Sequence, residues 1–288
     1  MKLITFCSLI SLCCLAFAQA EPKHRLLFFS KSSGFEHPVI SWKKGKPSHA
    51  EKVLTVMGKK QNWEFVFSKD GSNFSKEYLA GFDSLIFYTT GDLTIAGKDK
   101  QPPMSKDGEQ ALFDYIRDGG GFIGLHCATD TFKTKGVGKY ANDHEKCGDF
   151  TCMVGGEFLG HGKQQKATSR VINPKFPGFE KIGKSFTITE EWYALKHLQL
   201  DMHVLTVLET KGMQGKDYIR PDYPVSWARN EGKGRVYYNA MGHREDVWSS
   251  ELFQNMIIGA VHWTSGDVDV EIPANLKEVA PKSMINQH

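Results

Sequence analysis

Short apolar runs without polar alternation are the feature that most constrains the fold of this chain. Four of them lie before residue 130: RLLFFS (Arg25–Ser30), WEFVFS (Trp63–Ser68), SLIFYT (Ser84–Thr89) and GFIGLH (Gly121–His126). Each is rich in β-branched or aromatic residues, which is typical of strands buried on both faces of a sheet. The runs therefore predict four central strands.

Helix-like segments separate these runs. Three helices are predicted: Ser48–Lys60, Ser75–Ala80 and Ser105–Asp118. The third has its apolar residues at helical spacing, and Gly119 follows where the helix should end. Alternation of strands and helices at these distances predicts a parallel sheet with flanking helices.

The second half of the chain has a different pattern. Periodicity disappears from Cys127 to about Lys166, and a segment of this length inside a compact domain favours an ordered, functional loop. More strands are then predicted, followed by a helix: Ala167–Ile172, Ser185–Thr189, His203–Glu209, Val225–Ala228 and Arg235–Ala240, then helix Ser249–Trp263. Because no linker or repeat divides the chain, we expect one α/β domain over residues 21–288, of which 265–288 form a polar tail.

The amino terminus has the features of a secretory signal peptide. Lys2 precedes an apolar stretch to Phe17, and Ala18-Gln19-Ala20 has the small-x-small form of a cleavage site. We expect residues 1–20 to be removed and the protein to be exported, either to the periplasm or outside the cell. No later stretch is long and apolar enough to predict a membrane span.

Three cysteines, Cys127, Cys147 and Cys152, lie beyond the signal peptide. In an oxidising compartment their odd number leaves one unpaired. Cys147 and Cys152 are close enough in sequence for a local disulfide, and Cys127 is expected to be a buried free thiol.

The charge balance excludes one class of partner. The sequence holds 36 Lys and Arg against 33 Asp and Glu. Nucleic-acid binding needs clustered basic residues, and this chain has no such cluster. We expect no nucleic-acid partner.

Polar side chains follow several predicted strands, at the edge where ligands collect in an open parallel sheet. The candidates there are His37, His126, His243, Asp130, Glu190 and Glu191. Each also has a structural reading: His126 could be a hydrogen-bonded core residue, and Glu190-Glu191 a solvated turn. Several candidates at matching positions favour a functional pocket. Nearby aromatic residues could stack on a sugar ring, although aromatic residues also fill cores: Phe35, Trp192, Tyr193 and Trp227.

Four motifs carry a family resemblance. They are GGGFIGLHCATDTF from Gly119, GGEFLGH at Gly155–His161, EEWY at Glu190–Tyr193, and PVSWARNEGKGRVYYNAMGHRED at Pro224–Asp246. Together with GFEHP at Gly34–Pro38 they resemble a ThuA-like protein, the trehalose-utilisation domain. The resemblance implies a flavodoxin-like, class I glutamine amidotransferase-like three-layer α/β fold with a mostly parallel central sheet. It also implies a role in sugar metabolism, tied in some members to 3-keto sugars.

The comparison with amidotransferases bears on the reaction. Their nucleophile elbow resembles G-x-C-x-G, with cysteine at the apex. Here His126 stands at the apex and Cys127 follows it, while His243-Arg244-Glu245 matches the His-x-Glu of that superfamily. We therefore do not expect a Cys-dependent glutaminase.

The expected function is that of an exported carbohydrate enzyme, a hydrolase or lyase acting on a sugar or 3-keto-glycoside. We assign catalysis to His126, His243 and Glu191. Substrate binding is assigned to Phe35, His37, Asp130, Glu190, Tyr193 and Trp227. A divalent metal such as Zn²⁺ could be held by His37, His126, His161 and His243.

Two questions stay open at this point. Metal-free acid–base chemistry with a histidine base is the alternative mechanism. A non-catalytic protein that binds or senses a sugar is the alternative function.

Overall fold

The computed structural model of the chain describes residues 21–139 and 142–285. The predicted signal peptide, residues 1–20, lies outside the described residues. Eleven strands are described: β1 His24–Phe29, β2 Trp63–Ser68, β3 Ser84–Phe87, β4 Gly121–Leu125, β5 Glu157–His161, β6 Gln165–Val171, β7 Ser185–Glu190, β8 Tyr193–Lys196, β9 His203–Leu208, β10 Tyr223–Glu231 and β11 Gly234–Asn239. Seven α-helices accompany them: α1 His49–Gln61, α2 Lys76–Leu79, α3 Lys106–Arg117, α4 Asp149–Val154, α5 Glu245–Ser249, α6 Glu251–Thr264 and α7 Leu276–Val279.

Nine of these strands form one mixed sheet in the order β2-β1-β3-β4-β11-β10-β9-β6-β7. Strands β2, β1, β3, β4 and β11 are parallel to one another, which confirms the predicted parallel core with flanking helices. From β11 onward the pairs are antiparallel. Only Gly232 and Lys233 separate β10 from β11, and so short a connection can join antiparallel strands only.

The central strands are buried because their side chains face layers on both sides. All five residues of β4 are buried, and so are five of the six residues of β1. Helix α1 begins with a capping box in which Ser48 and Glu51 each bond the other's backbone N–H. Helix α3 covers the sheet with Leu112, Phe113 and Ile116. The carboxyl ends of the parallel strands are thus held at one edge of a rigid core.

The predicted long loop between Cys127 and Lys166 needs correction. It holds a 3-10 turn at His126–Asp130, helix α4 and strand β5, which pairs with β8 in a separate two-stranded sheet. These elements are only five or six residues long, too short to produce a clear periodicity. Cys147 and Cys152 form the local disulfide that their spacing allows, and Cys127 is a buried free thiol as expected.

The polar tail packs against the domain. Asn275 accepts a hydrogen bond from the backbone N–H of Val204, and the Arg220 guanidinium donates one to the carbonyl of Ser283. In the part of the chain that the structure describes, no helix is both long and apolar enough to cross a bilayer.

Candidate metal centre

Four side chains converge at the carboxyl edge of the sheet. They are His37 from the loop after β1, His126 at the end of β4, Glu191 after β7 and His243 after β11. One potential ligand atom from each lies within 4.8 Å of those of the others. We call these four residues the histidine–glutamate cluster. It includes three of the four predicted metal ligands, with Glu191 in the place expected for His161.

His126 stands at a strained turn between β4 and the 3-10 turn. Its φ is +44°, a left-handed conformation that few non-glycine residues adopt. The ring is fully buried, and Nδ1 lies 2.8 Å from the carbonyl of Ala240. Because a carbonyl can only accept, Nδ1 carries a proton, and Nε2 is the ring nitrogen that faces the cluster. Nε2 lies 3.6 Å from Oε2 of Glu191.

His37 is the second buried imidazole of the cluster. Its ring meets those of His126 and His243 edge-on, with centroid separations of 5.0 and 5.3 Å. Burial, together with these two neighbouring imidazoles, lowers the pKa of His37 to about 2. The ring is therefore neutral at physiological pH, with a lone pair free for a ligand.

Glu191 supplies the negative charge of the cluster. Its Oε2 lies 3.0 Å from Nδ1 of His243, and Oε1 lies 3.4 Å from Nδ1 of His161. Burial opposes ionisation of this carboxyl, but the adjacent His126 and His243 imidazoles outweigh it and hold its pKa well below the usual range. The carboxylate is ionised at neutral pH.

The unpartnered nitrogens test whether the cluster suits a metal. Nδ1 of His37, Nε2 of His126 and Nδ1 of His243 are buried and make no well-aligned hydrogen bond to a described residue, although the last two lie 3.6 and 3.0 Å from Oε2 of Glu191. An unpaired buried polar atom costs about 1–3 kcal/mol, so three together call for a partner. Three imidazole nitrogens and one carboxylate oxygen form a donor set that divalent zinc-class ions bind. The residues present therefore fit a metal ion.

Glu190 does not join the cluster, although it is adjacent to Glu191. Successive side chains of an extended segment point to opposite sides, so only one of the two can face the pocket. The Glu190 carboxylate is buried and accepts hydrogen bonds from backbone N–H groups at the ends of β7 and β11. Burial raises its pKa. It is a structural anchor, not a group open to substrate.

Three other predicted residues surround the cluster. The Tyr193 hydroxyl hydrogen-bonds Nε2 of His37 at 3.3 Å, and its ring lies 4.1 Å from that of His126. Phe35 is 57% exposed and meets His37 edge-on at 5.0 Å. His161 is on the rim, where it stacks on Tyr193. Phe35 and His161 border the cluster on its accessible side, whereas Tyr193 is buried.

Two predicted substrate contacts are engaged by other groups of the protein. Trp227 is fully buried, and its indole N–H donates to the carbonyl of Val154. A ring packed in this way offers no face to a sugar. Asp130 is bound by Lys133 at 2.6 Å, one turn beyond His126.

Comparison with known proteins identifies the family. The sequence matches the ThuA family, described as trehalose utilisation, over residues 25–264. The chain belongs to the ThuA family. No curated protein matches it.

Solved structures share the fold. A putative ThuA-like protein from Bacteroides uniformis ATCC 8492 superposes with a TM-score of 0.62 at 21% identity, covering 87% of this chain and 94% of that one. Another from Parabacteroides merdae ATCC 43184 gives 0.59 at 13% identity, covering 92% and 100%. A β-galactosidase from Bacillus circulans sp. alkalophilus gives 0.50 at 12% identity, covering 87% of this chain and 32% of that one. Similarities at these identities show the fold alone, and the ThuA family connects the chain with carbohydrate metabolism.

The two amidotransferase-like features of this ThuA-family chain, the cysteine after the elbow and the His-x-Glu match, do not form a catalytic pair in the structure. Cys127 is fully buried, and burial raises the pKa of its thiol well above the usual value. Glu245 faces His49 at 3.7 Å, whereas His243 meets Glu191. His243-Arg244-Glu245 therefore matches His-x-Glu in sequence only, because the acid beside His243 is Glu191 and not Glu245.

Sequence reasoning missed the backbone partners of the cluster. The Ala240 carbonyl, which orients His126, carries no side-chain signal. Tyr88 was also missed; its hydroxyl donates to the carbonyl of Gly242 at 3.0 Å. Its place directly after the strand β3 is the one signal that could have indicated it.

Proposed function

We propose that this ThuA-family protein is an exported, metal-dependent enzyme that acts on a sugar or 3-keto-glycoside as a hydrolase or lyase. The observation that carries the proposal is the buried Nε2 of His126. It has no hydrogen-bond partner among the described residues and faces a carboxylate and two other imidazoles. His37, His126, Glu191 and His243 would hold the ion.

A bound divalent ion would supply Lewis acidity toward a carbonyl or hydroxyl oxygen and lower the pKa of a bound water. The residues of the chain supply the rest. His126 is fixed by the Ala240 carbonyl, and such an outer contact orients a metal-binding imidazole. Glu191 and His243 keep 11% and 14% of their side-chain surfaces exposed, so a ligand can approach from their side.

An exposed aromatic ring beside the cluster supports a sugar ligand. Phe35 exposes its ring beside His37, whereas Tyr193 is buried and contributes its hydroxyl, which hydrogen-bonds His37. An aromatic face packs against the apolar C–H face of a pyranose, while the polar cluster addresses its oxygens. ThuA membership supports the same class of ligand.

Two features support export. Residues 1–20 have the composition of a signal peptide. The disulfide between Cys147 and Cys152 is of a kind that persists in oxidising compartments. Mass spectrometry of the amino terminus of the protein recovered from outside the cytoplasm tests this part. A mature protein that begins at Glu21 is expected, and an intact Met1 there would contradict export by cleavage.

The activity is tested with a panel of glycosides and their 3-keto derivatives. We expect the metal-loaded protein to consume a member of the panel, chelator to abolish turnover, and added Zn²⁺ to restore it. Turnover that chelator leaves unchanged would overturn the metal dependence. A ligand that binds with measurable heat and is recovered unchanged would instead identify a sugar-binding or sensing protein.

A further inference from the structure

The buried carboxylate of Glu190 joins the two segments that carry Glu191 and His243. Its Oε1 accepts the backbone N–H of Glu191 at 2.7 Å. Its Oε2 accepts the N–H of Gly242 at 2.8 Å and that of His243 at 3.2 Å. One side chain thus accepts three backbone hydrogen bonds, two of them from residues of the histidine–glutamate cluster.

The sheet itself does not align these two segments. Glu190 ends β7, whereas Gly242 and His243 follow β11, and β10, β9 and β6 lie between those strands in the sheet. No ladder of hydrogen bonds therefore connects the end of β7 to the end of β11. The Glu190 carboxylate makes the connection directly.

Other contacts fix the segment after β11 without reaching β7. The Ala240 carbonyl is near Nδ1 of His126, and the Gly242 carbonyl accepts from Tyr88 and from the Trp248 indole at 2.7 Å. None of these bonds involves the Glu190-Glu191 segment. They hold His243 relative to His126, and Glu190 holds it relative to Glu191.

The connection through Glu190 depends on the backbone conformation of Gly242. Its φ is +126°, a conformation that L residues rarely adopt. An added Cβ would lie 3.3 Å from the Phe253 ring and 3.4 Å from the Tyr88 ring. Glycine therefore lets the chain present two successive N–H groups to one carboxylate oxygen.

We infer that Glu190 is a positioning residue that sets the distance between the Glu191 carboxylate and the His243 imidazole. The inference rests on the proposed metal centre for its functional consequence, because the pair would be ligands of one ion. Partners of this kind, which orient metal ligands without touching the ion, typically change metal affinity about 10- to 100-fold when removed. Glu190 thereby acts on the ion through its neighbours.

The test replaces Glu190 by glutamine and compares it with a matched variant. Glu190→Gln keeps the size of the side chain but turns one acceptor oxygen into an NH₂ group that faces backbone N–H donors. Glu157→Gln is the control, because Glu157 is also buried and accepts from the Thr134 N–H and the Thr151 hydroxyl but contacts no member of the cluster. Glu190→Asp, which keeps two oxygens on a shorter chain, serves as a second variant if Glu190→Gln does not fold.

Two readouts are measured: the Kd for Zn²⁺ alone, and hydrogen exchange at the amides of Glu191, Gly242 and His243 without metal. We expect Glu190→Gln to weaken Zn²⁺ binding about 10- to 100-fold and to speed exchange at these three amides. Glu157→Gln should change neither. Zn²⁺ affinity equal to that of the wild type in Glu190→Gln, or an equal loss in Glu157→Gln, would overturn the inference.

The exchange readout separates this inference from the proposed function. If the wild-type protein binds no Zn²⁺, the proposed metal centre fails. Faster exchange at the three amides in the Glu190 variants alone would still support Glu190 as the anchor of the two segments. Unchanged exchange in both variants would overturn that as well.

Discussion

Two clusters of histidines and a carboxylate lie at opposite ends of this sheet, and they differ in how their nitrogens are used. At the amino end, Oδ2 of Asp267 lies 2.9 Å from Nζ of Lys23, 2.9 Å from Nε2 of His24 and 2.6 Å from Nδ1 of His262. At the carboxyl end, three imidazole nitrogens of the histidine–glutamate cluster make no well-aligned hydrogen bond to a described residue. In the first arrangement one carboxylate pairs with a lysine and with one nitrogen of each imidazole, and a single further nitrogen, Nδ1 of His24, lies 3.5 Å from Asp83 without a hydrogen bond. The second contains no lysine or arginine and leaves donor atoms for an ion.

The largest effect is expected from His126→Asn. Asparagine tolerates the left-handed backbone at this position better than alanine, so the fold should persist. We expect the loss of turnover on the substrate identified in the panel, by at least about 100-fold, because one ligand of the proposed ion is gone. Steady-state kinetics and the circular dichroism spectrum measure activity and folding.

His262→Asn in the amino-terminal cluster is the matched control. It also removes an imidazole beside a carboxylate, but it lies far from the carboxyl edge of the sheet. Its turnover should equal that of the wild type. Equal losses in both variants would remove the distinction between the clusters.

Glu191→Gln is expected to have the next largest effect. It keeps the shape of the side chain but removes the charge that faces His126 and His243. Zn²⁺ affinity measured by competition with a chromophoric chelator should fall by at least about 10-fold, because a neutral amide oxygen is a weaker ligand than a carboxylate. Unchanged affinity would exclude Glu191 from the ligand set.

Asp267→Asn should alter stability and leave metal binding unchanged. Partial burial opposes ionisation of Asp267, but Lys23, His24 and His262 outweigh it and hold the pKa of this carboxyl well below the usual range. Since an unfolded aspartate has a pKa of about 3.9, the stabilisation is complete above about pH 4 and is lost as the pH falls below it.

We therefore expect the wild type to be more stable than Asp267→Asn at pH 7, by about 1 kcal/mol, with the difference shrinking toward pH 2. Urea unfolding at several pH values measures it. A stability difference between the two proteins that grows as the pH falls would contradict the lowered pKa of Asp267.

The smallest effect is expected from Glu245→Ala. This acid follows His243 by two residues, yet it is exposed and faces His49. Removing it should change stability by less than about 0.5 kcal/mol and leave turnover unchanged. A large loss of turnover would show that Glu245, rather than Glu191, acts with His243.

The parallel half of the fold could be predicted because each buried strand leaves a continuous apolar run. The strand ends then placed His37, His126 and His243 at one edge, and the structure brings these three together. The sequence could not predict that Glu191, rather than His161, is the fourth member of the cluster. That depends on how the β5–β8 sheet and the end of β7 approach the edge. For the same reason the separate positions of Glu190 and Glu191 required the structure.

Trp227 was predicted to contact substrate, and the structure shows why the sequence could not decide this. An aromatic residue in a buried strand fills the core more often than it contacts a ligand. Which of the two it does depends on the residues that pack against it in the fold. Here the nearby Val154 carbonyl accepts the indole N–H within the core. No pattern within the strand itself carries that information.

The most direct test of the account is the metal content of wild-type protein purified without chelator or an affinity metal. Elemental analysis together with native mass spectrometry should find one divalent ion per chain, and the ion should be absent from His126→Asn and retained in His262→Asn. A wild-type protein that holds no ion, even after incubation with Zn²⁺, would contradict the central claim.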